Sequence, residues 1–236
     1  MYIKEKMQHT EKIHIALVGD NHVGKSSLVL KYIVGKAPVS YDATIEDVYQ
    51  KDIYLGYVDR NYPIGDREES IEEKVVNEKV IKKKNSLTGT TVNLTITDCS
   101  GSLVNVSLQD DAIRQADGVI VVFALNSITS FNRALSIIST INNDSSPLMT
   151  NSAKSVKKIM LVGNKNDIHD GENISERITN NVINLLNSKI IFDYIEVNTS
   201  TSVLVHRIFD HTCRNILLDR SRFAPTQGTK NKCVLL

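Results

Sequence analysis

The sequence is poor in the residues that mark secreted, disulfide-bonded or membrane-spanning proteins. It has three cysteines, four prolines and no tryptophan among 236 residues. Cys99, Cys213 and Cys233 are odd in number, widely spaced and lack metal-ligand spacing, which favours a reducing cytosol over a disulfide framework. The longest apolar run, residues 119–125, is far too short to cross a bilayer.

No charge of one sign dominates the chain. Its 28 Lys and Arg residues against 27 Asp and Glu residues give a net charge of +1. This small net charge produces no global electrostatic field that would favour nucleic acid or an acidic partner, and we predict no nucleic-acid partner. The apolar share of 41% and the charged share of 23% are ordinary for a globular protein. The length fits one domain with extensions.

Short apolar runs alternate with helical patterns along the chain. Strands are predicted at residues 12–18, 118–125, 158–163 and 189–197, and helices at 24–34, 127–142, 175–187 and 203–218. This alternation predicts an α/β fold of three layers, with a mostly parallel central sheet and helices on both faces. Such sheets bind ligands at the carboxyl ends of their strands.

Two regions do not follow this pattern. Residues 56–90 are highly charged, and we interpret them as a solvated, mobile insertion, with a short exposed helix or a hairpin arm as the alternative. The end of the chain is polar and lacks periodicity, as a flexible tether does. The predicted organisation is therefore an extension at 1–11, a domain at 12–219 and a tether at 220–236.

Residues 19–26 read GDNHVGKS and match the phosphate-binding pattern G-x-x-x-x-G-K-[ST]. The glycines let the backbone curl so that successive N–H groups point at a phosphate, and the following helix N-terminus adds partial positive charge. Lys25 is predicted to reach the β- and γ-phosphates, and the Ser26 hydroxyl to hold Mg²⁺. A glycine-rich turn with a solvated lysine is the weaker reading, because the motif follows a strand and opens a helix.

Residues 164–167 read NKND and follow the predicted strand that ends at Gly163. The Asp167 carboxylate can accept both hydrogens that guanine offers at N1 and N2, a pair that adenine lacks. An unpaired carboxylate is costly, so this contact rejects the wrong base strongly. Alone, the motif would be read as a turn with a helix cap; after a phosphate-binding loop it predicts a guanine site.

With these motifs the sequence resembles the Ras superfamily of small GTPases, and its Ras/Rap branch most closely, over residues 12–218. Residues 41–49, YDATIEDVY, resemble the effector segment of that branch. The resemblance implies a P-loop GTPase domain that binds GTP or GDP with Mg²⁺. It also implies effector proteins that dock on residues 41–49, an exchange factor and a GTPase activator.

The same resemblance assigns further roles residue by residue. Thr44 becomes the switch threonine, whose hydroxyl binds Mg²⁺ and whose backbone senses the γ-phosphate. Residues 98–101, DCSG, resemble the D-x-x-G element, so Asp98 becomes the water-mediated Mg²⁺ partner and Gly101 an N–H donor to the γ-phosphate. Residues 198–200, NTS, lie at the position of the family's Ser-Ala-Lys guanine loop but differ from it in sequence.

Four departures from the family pattern bear on hydrolysis and exchange. Asn21 replaces a glycine beside the γ-phosphate, Ser102 replaces the glutamine that orients the attacking water, and Ser100 replaces an alanine. Ala37 replaces the aromatic that covers the guanine ring. Because hydrolysis depends on positioning the water, we predict slow intrinsic and activator-stimulated hydrolysis, with fast exchange. The alternative is a normal switch, in which neighbours such as His22 or Gln109 compensate.

Residues 233–236 read CVLL and form a C-a-a-X signal in which the final leucine favours geranylgeranylation of Cys233. One lipid chain gives only marginal attachment, and the nearby basic residues are few. We therefore expect reversible binding to the cytoplasmic face of a membrane, with a cytosolic pool.

Three functions remain open at this point: a switch with weak GTPase activity, a non-hydrolysing GTP-binding scaffold, and a P-loop ATPase or small-molecule kinase. The predicted catalytic residues are Lys25, Thr44, Gly101 and Ser102, and the predicted metal ligands are Ser26, Thr44 and Asp98. The predicted nucleotide-binding residues are Gly19, Asp20, Asn21, His22, Val23, Gly24, Lys25, Ser26, Ser27, Tyr41, Thr44, Gly101, Asn164, Lys165, Asp167, Thr199 and Ser200.

Overall fold

Six strands and five α-helices make up the described part of the chain. The computed structural model describes residues 10–36, 46–55, 90–144, 157–167, 172–199 and 204–223. The strands are β1 Thr10–Gly19, β2 Glu46–Leu55, β3 Thr90–Cys99, β4 Gly118–Ala124, β5 Lys158–Asn164 and β6 Asp193–Val197. The helices are α1 Lys25–Val34, α2 Val106–Gln115, α3 Ile128–Asp144, α4 Glu172–Asn187 and α5 Leu204–Phe223. A 3-10 turn, Leu103–Asn105, precedes α2.

The strands form a single sheet in the order β2-β3-β1-β4-β5-β6. The edge strand β2 pairs antiparallel with β3. The four other pairings are parallel. The predicted α/β class with a mostly parallel sheet is therefore confirmed.

The two faces of the sheet bury two separate cores. In β1, Ile15 and Leu17 pack into the core formed with α1 and α5, whereas Ala16 and Val18 pack into the core formed with α2, α3 and α4. This alternation follows from the two-residue period of a strand, which sends successive side chains to opposite faces. Every residue of β4 is buried, as expected for a central strand covered on both sides. None of the helices described is long and apolar enough to cross a membrane.

Two predicted boundaries are corrected. The strand predicted from residue 189 begins at Asp193, because residues 188–190 close the end of α4. There the Lys189 amide donates to the carbonyl oxygen of Leu186 at 3.0 Å, and Lys189 has a φ of 55°. The last helix continues to Phe223, beyond its predicted end at residue 218. The sequence patterns also gave no prediction of β2, β3 or α2 as elements of this fold.

The predicted start of α3 agrees with the structure. The Ser127 hydroxyl accepts a hydrogen bond from the Ser130 amide at 3.2 Å, which caps the first turn of the helix. The Ser127 carbonyl then accepts from the Phe131 amide at 3.1 Å. Ser127 is therefore the N-terminal cap residue, and the helix begins at Ile128.

The carboxyl ends of four strands meet at one edge of the sheet. The strand β1 ends at Gly19, β3 at Cys99, β5 at Asn164 and β6 at Val197. The phosphate-loop, D-x-x-G, NKND and NTS motifs each begin at or next to one of these ends. The fold therefore brings four separate sequence motifs to the edge where parallel sheets bind ligands.

Candidate functional site

The phosphate-binding loop is a tight backbone curl between β1 and α1. Its φ angles are positive at Gly19 (143°), His22 (59°) and Gly24 (93°). A Cβ atom at Gly24 would collide with Nδ2 of Asn164, so glycine is required there by contact as well as by backbone conformation. Gly24 is the N-cap of α1 and no side chain caps this helix start. The N–H groups at the helix start are thus available to an anion.

Lys25 lies under this curl and closes it. Its ammonium donates to the carbonyl oxygens of Gly19 at 3.1 Å and Asp20 at 2.7 Å. The residue is only 7% exposed. Burial lowers the pKa of Lys25, while the nearby charge of Asp98 acts to raise it. A partly desolvated ammonium held by loop carbonyls is well placed to attract phosphate charge, because electrostatic attraction strengthens where water is excluded.

Asp98, near the end of β3, is a buried carboxylate without hydrogen-bond partners among the described residues. It is 0% exposed, and neither of its oxygens accepts a hydrogen bond there. Burial raises the pKa of Asp98 to about 6, although the Ser26 side chain and the Lys25 charge both act to lower it. An unpaired buried carboxylate is expensive to keep ionised, so a cation at this position would stabilise it.

The oxygen donors at Asp98 suit Mg²⁺ that is bound together with phosphates and water, rather than a metal ion held by protein ligands alone. The described residues contain no cluster of three or more His, Cys, Asp or Glu side chains that could hold a metal ion. Mg²⁺ is usually bound by one or two oxygen side chains together with substrate phosphates and water. The orphaned Asp98 carboxylate and the Ser26 hydroxyl, whose side chain influences it, match that pattern.

The D-x-x-G segment lies directly against the phosphate loop. A Cβ atom at Gly101 would collide with the Asn21 amide nitrogen and with the Asp20 backbone. The next residue, Ser102, takes part in two short hydrogen-bonded turns. Its amide donates to the Ser100 hydroxyl at 3.2 Å, and its own hydroxyl accepts from the Val104 amide at 3.3 Å. The Ser102 hydroxyl therefore caps the 3-10 turn that follows it.

The NKND segment connects the phosphate loop to the loop after β6. The Asn164 side chain is 2% exposed and donates from Nδ2 to the Val23 carbonyl oxygen at 2.8 Å. Its Oδ1 accepts from the Thr199 hydroxyl at 2.9 Å. The Asn166 amide donates to the Val197 carbonyl at 3.2 Å. Asp167, which follows this turn, is exposed, as a carboxylate that receives a ligand must be in the free protein.

The comparison with protein families gives one match. The model of the Ras family covers residues 14–67 and 66–218 of the chain. The chain belongs to the Ras family. The two matched segments meet inside residues 56–90, where the sequence predicts an insertion.

Individual relatives are distant but cover most of the chain. The Ras-like protein rasZ of Dictyostelium discoideum is 22% identical over 208 residues, which is 86% of this chain and 75% of that protein. The GTP-binding protein Rheb homolog 1 of Caenorhabditis elegans is 24% identical over 213 residues, 90% of this chain and 82% of that protein. Ras-like protein 1 of Pyricularia oryzae is 23% identical over 220 residues, which is 88% of this chain and 75% of that protein. This chain is a divergent Ras-family GTP-binding protein.

Most of the predicted site residues of this Ras-family chain lie together at the one sheet edge. The structure places there Gly19, Asp20, Asn21, His22, Val23, Gly24, Lys25, Ser26, Ser27, Asp98, Gly101, Ser102, Asn164, Lys165, Asp167 and Thr199. Four predicted residues, Tyr41, Thr44, Ser200 and Cys233, lie outside the described residues, as does Ala37. Of the two proposed compensating residues, His22 is exposed in the phosphate loop and Gln109 is buried in α2 at 4% exposure.

Two contacts at the site were missed by the sequence reasoning. One is the hydrogen bond from the Ser102 amide to the Ser100 hydroxyl, and the other is the bond from the Thr199 hydroxyl to Asn164. The first had a usable signal, since serines two residues apart commonly bond to the local backbone. The second joins residues 35 positions apart and has no local signal.

Proposed function

We propose that this Ras-family chain is a Mg²⁺-dependent GTP/GDP switch that hydrolyses GTP slowly and signals through an effector segment at a membrane surface. The observation that carries the proposal is the orphaned Asp98 carboxylate, buried beside the closed phosphate loop. Such a carboxylate has a physical reason to exist where a metal–nucleotide complex binds, and little reason otherwise.

Nucleotide binding is divided between the two ends of the site. The curled backbone of residues 19–24 and the Lys25 ammonium would hold the phosphates, and Asp167 would read the guanine edge. Ser26 and Asp98 would hold Mg²⁺ from the protein side. The metal, when bound, neutralises phosphate charge. Thr44 is proposed as a further ligand on the sequence alone, because it lies outside the described residues.

Slow hydrolysis is proposed from the arrangement around Ser102. Its hydroxyl accepts from the Val104 amide and caps a turn, and the side chain is short. A group that orients an attacking water must reach beyond the backbone toward the γ-phosphate. The Asn21 backbone nitrogen lies against Gly101, and its exposed side chain adds bulk where the family pattern has glycine. Both features work against positioning water and against an activator that would insert a side chain there.

Effector binding is proposed at the first part of β2 and the segment before it. Residues 46–49 of the effector tract lie in this edge strand, and Val48 is 58% exposed. Bound GTP would order Thr44 and Gly101 through their backbones, which gives an effector and a GTPase activator a state to recognise. Ras-like GTPases generally bind effectors and regulators, and an exchange factor is proposed for the same reason.

Membrane attachment is proposed through geranylgeranyl at Cys233, with localisation at the cytoplasmic face of a membrane and a cytosolic pool. The supporting sequence, CVLL at residues 233–236, lies outside the described residues. The test compares the membrane fraction of the wild type with that of Cys233→Ser in cells. We expect the variant to become fully cytosolic; a variant that stays on membranes would show that another anchor holds the chain.

A non-hydrolysing GTP-binding scaffold is the second candidate. The two turns that engage Ser100 and Ser102 favour it, since they fix the segment that a hydrolysing enzyme would use to hold water. The two candidates share nucleotide binding and differ only in whether GTP is converted at all.

The nucleotide content of the purified protein tests the central claim. The chain is purified with Mg²⁺, denatured, and the released nucleotide is identified by chromatography. We expect guanine nucleotide with a high share of GTP, followed in single-turnover assays by slow but measurable release of phosphate. No phosphate release over many hours would support the scaffold. Bound adenine nucleotide, or ATP preferred over GTP, would contradict the proposal.

A further inference from the structure

Lys51 is a charged residue in the row of β2 side chains that faces the core. Tyr49, Ile53 and Leu55 of this row pack with the core formed with α1 and α5. Strand side chains alternate between the two faces, so Lys51 belongs to the same row, where it is paired with Leu94 of β3. A lysine at such a position must either extend to water or find an acceptor within the protein.

The acceptor that Lys51 finds is the C-terminal end of α1. Its ammonium donates to the Tyr32 carbonyl oxygen at 2.7 Å and lies 4.4 Å from the centre of the Tyr32 ring. The last carbonyls of a helix lack intrahelical partners and carry partial negative charge, so a cation is favoured there. A cation over an aromatic face is attracted as well. Lys51 therefore makes two attractive contacts with one residue of another element.

Tyr32 is itself held firmly by α5. It is 1% exposed, and its ring stacks on Phe209 with the two ring centroids 4.4 Å apart. Its hydroxyl donates to Oδ1 of Asp210 at 2.9 Å. Burial, followed by the charge of Asp210, raises the pKa of Tyr32, so the hydroxyl stays protonated and remains a donor. Lys51 consequently connects the edge strand β2 to a side chain that is fixed in the core.

This contact connects the elements at the two ends of residues 37–45. Before that segment α1 ends at Val34, and after it β2 begins at Glu46. Ordering a loop costs conformational entropy, and the cost is smaller when the ends of the loop are already held together. In the proposed switch, GTP orders this segment through its γ-phosphate and Thr44, and GDP lacks that phosphate. The ordering cost therefore weakens the GTP complex and leaves the GDP complex unaffected.

We propose that Lys51 is a positioning residue that favours the GTP-bound state, because it anchors β2 to the end of α1 and so holds the two ends of residues 37–45 at a fixed separation. This inference rests on the proposed binding of GTP and GDP at the sheet edge. Lys51 acts through Tyr32 and not through contact with the nucleotide. A lysine that served only the stability of the strand would affect both nucleotide complexes equally.

The test measures the affinity for a non-hydrolysable GTP analogue relative to GDP, by competition with a fluorescent GDP on the full-length protein in Mg²⁺. Lys51→Met keeps the apolar stem and removes the charge and the donors. We expect the ratio of GTP-analogue affinity to GDP affinity to fall about fivefold. Lys51→Arg keeps a cation that can donate to a carbonyl and lie over a ring, and should stay within about twofold of the wild type. An unchanged ratio in Lys51→Met, or an equal fall in Lys51→Arg, would overturn the proposal.

The neighbouring residue Asp52 offers a matched control on the same strand. Its carboxylate accepts from Nδ2 of Asn93 at 2.7 Å, on the exposed face of β2. Asp52→Ala removes a side-chain contact between β2 and β3 but leaves the anchor at Tyr32 in place, so the affinity ratio should not change. If Asp52→Ala lowers the ratio as much as Lys51→Met does, any loosening of β2 is sufficient and the proposal is wrong.

A second control separates positioning from general stability. Ile138 in α3 is 1% exposed and packs in the core on the other face of the sheet. Ile138→Val should lower the melting temperature without changing the affinity ratio. A fall in the ratio like that of Lys51→Met would show that Lys51 acts only through stability. If the wild type binds no guanine nucleotide, the proposed function and this inference both fall, whereas a wild type that binds both nucleotides, with an unchanged ratio in Lys51→Met, removes the inference alone.

Discussion

Lys25 and Asp98 are buried at the phosphate loop with opposite charges, yet no hydrogen bond connects them. The Lys25 ammonium donates instead to the Gly19 and Asp20 carbonyls, and both oxygens of Asp98 are left without a partner among the described residues. A direct ion pair would neutralise both groups and would compete with any ligand. In the proposed function, the absence of such a pair leaves the ammonium for phosphate and the carboxylate for a cation, at the expense of stability in the free protein.

The first prediction concerns that loss of stability. Asp98→Asn removes a buried charge, so the nucleotide-free variant should be more stable than the wild type by about 2 kcal/mol in its free energy of unfolding. Its affinity for nucleotide in Mg²⁺ should fall at the same time. Urea denaturation in EDTA measures the first effect and nucleotide titration the second. Asp111→Asn is the control, since Asp111 is 58% exposed and should change neither quantity. A destabilised Asp98→Asn variant would show that the carboxylate is satisfied in the free protein.

The second prediction is the pH dependence of the same group. Burial raises the pKa of Asp98 from 3.8 to about 6. Between those values the folded protein retains a proton that the unfolded chain has released, so stability falls as pH rises through this window. The nucleotide-free wild type should lose roughly 2–3 kcal/mol relative to Asp98→Asn between pH 4 and pH 6. Denaturation at several pH values measures it, and a difference that does not vary with pH would refute it.

The third prediction restores the groups that hydrolysis requires. Ser102→Gln supplies an amide of sufficient reach, and Asn21→Gly removes the side chain at the position where the family pattern has glycine, so the double variant should hydrolyse GTP about tenfold faster than the wild type. Single-turnover release of phosphate measures the rate. Ser107→Gln, at an exposed position of α2, is the matched control and should have no effect. If the double variant stays as slow as the wild type, the limitation lies elsewhere in the site.

The fold class could be predicted because central parallel strands have a recognisable sequence pattern, a short and continuous apolar run. The run at residues 118–124 is buried throughout, which allows no polar alternation and reads as a strand covered on both sides. The edge strand β2 has the opposite character, with Asp47, Val48 and Gln50 all exposed. A polar edge strand resembles a loop in sequence, and it becomes a strand only through its pairing with β3.

The site could be predicted only as far as its motifs are local. Lys25 and Asp167 each belong to a short pattern whose chemistry is evident from the sequence, and the structure places them after β1 and β5. The Thr199 hydroxyl forms a hydrogen bond with Asn164, and no local pattern encodes this contact between the ends of β5 and β6. Position relative to the family suggested Thr199, but the physical reason for a hydroxyl there appears only in three dimensions.

The basic residue Arg220 gives a fourth prediction. The sequence places it in a flexible tether, whereas in the structure it is part of α5 and contacts the start of β1. Its guanidinium donates to Asp117 Oδ1 at 2.7 Å, to Glu11 Oε2 at 3.1 Å and to the Lys12 carbonyl at 2.9 Å. Asp117 in turn accepts from the His14 amide at 2.8 Å. A charge engaged in this way is unavailable to a membrane surface.

Arg220→Ala should therefore lower the free energy of unfolding by about 1–2 kcal/mol, because it removes the guanidinium that two partly buried carboxylates and a backbone carbonyl share. Arg114→Ala is the matched control: its pair with Asp111 spans one helical turn with side chains 67% and 58% exposed, and its loss should change stability by less than about 0.5 kcal/mol. Urea denaturation compares the two, and membrane binding of the lipidated Arg220→Ala protein should match the wild type. Weaker membrane binding without a loss of stability would contradict this prediction. It would show that Arg220 contacts the lipid surface, as a residue of the tether would.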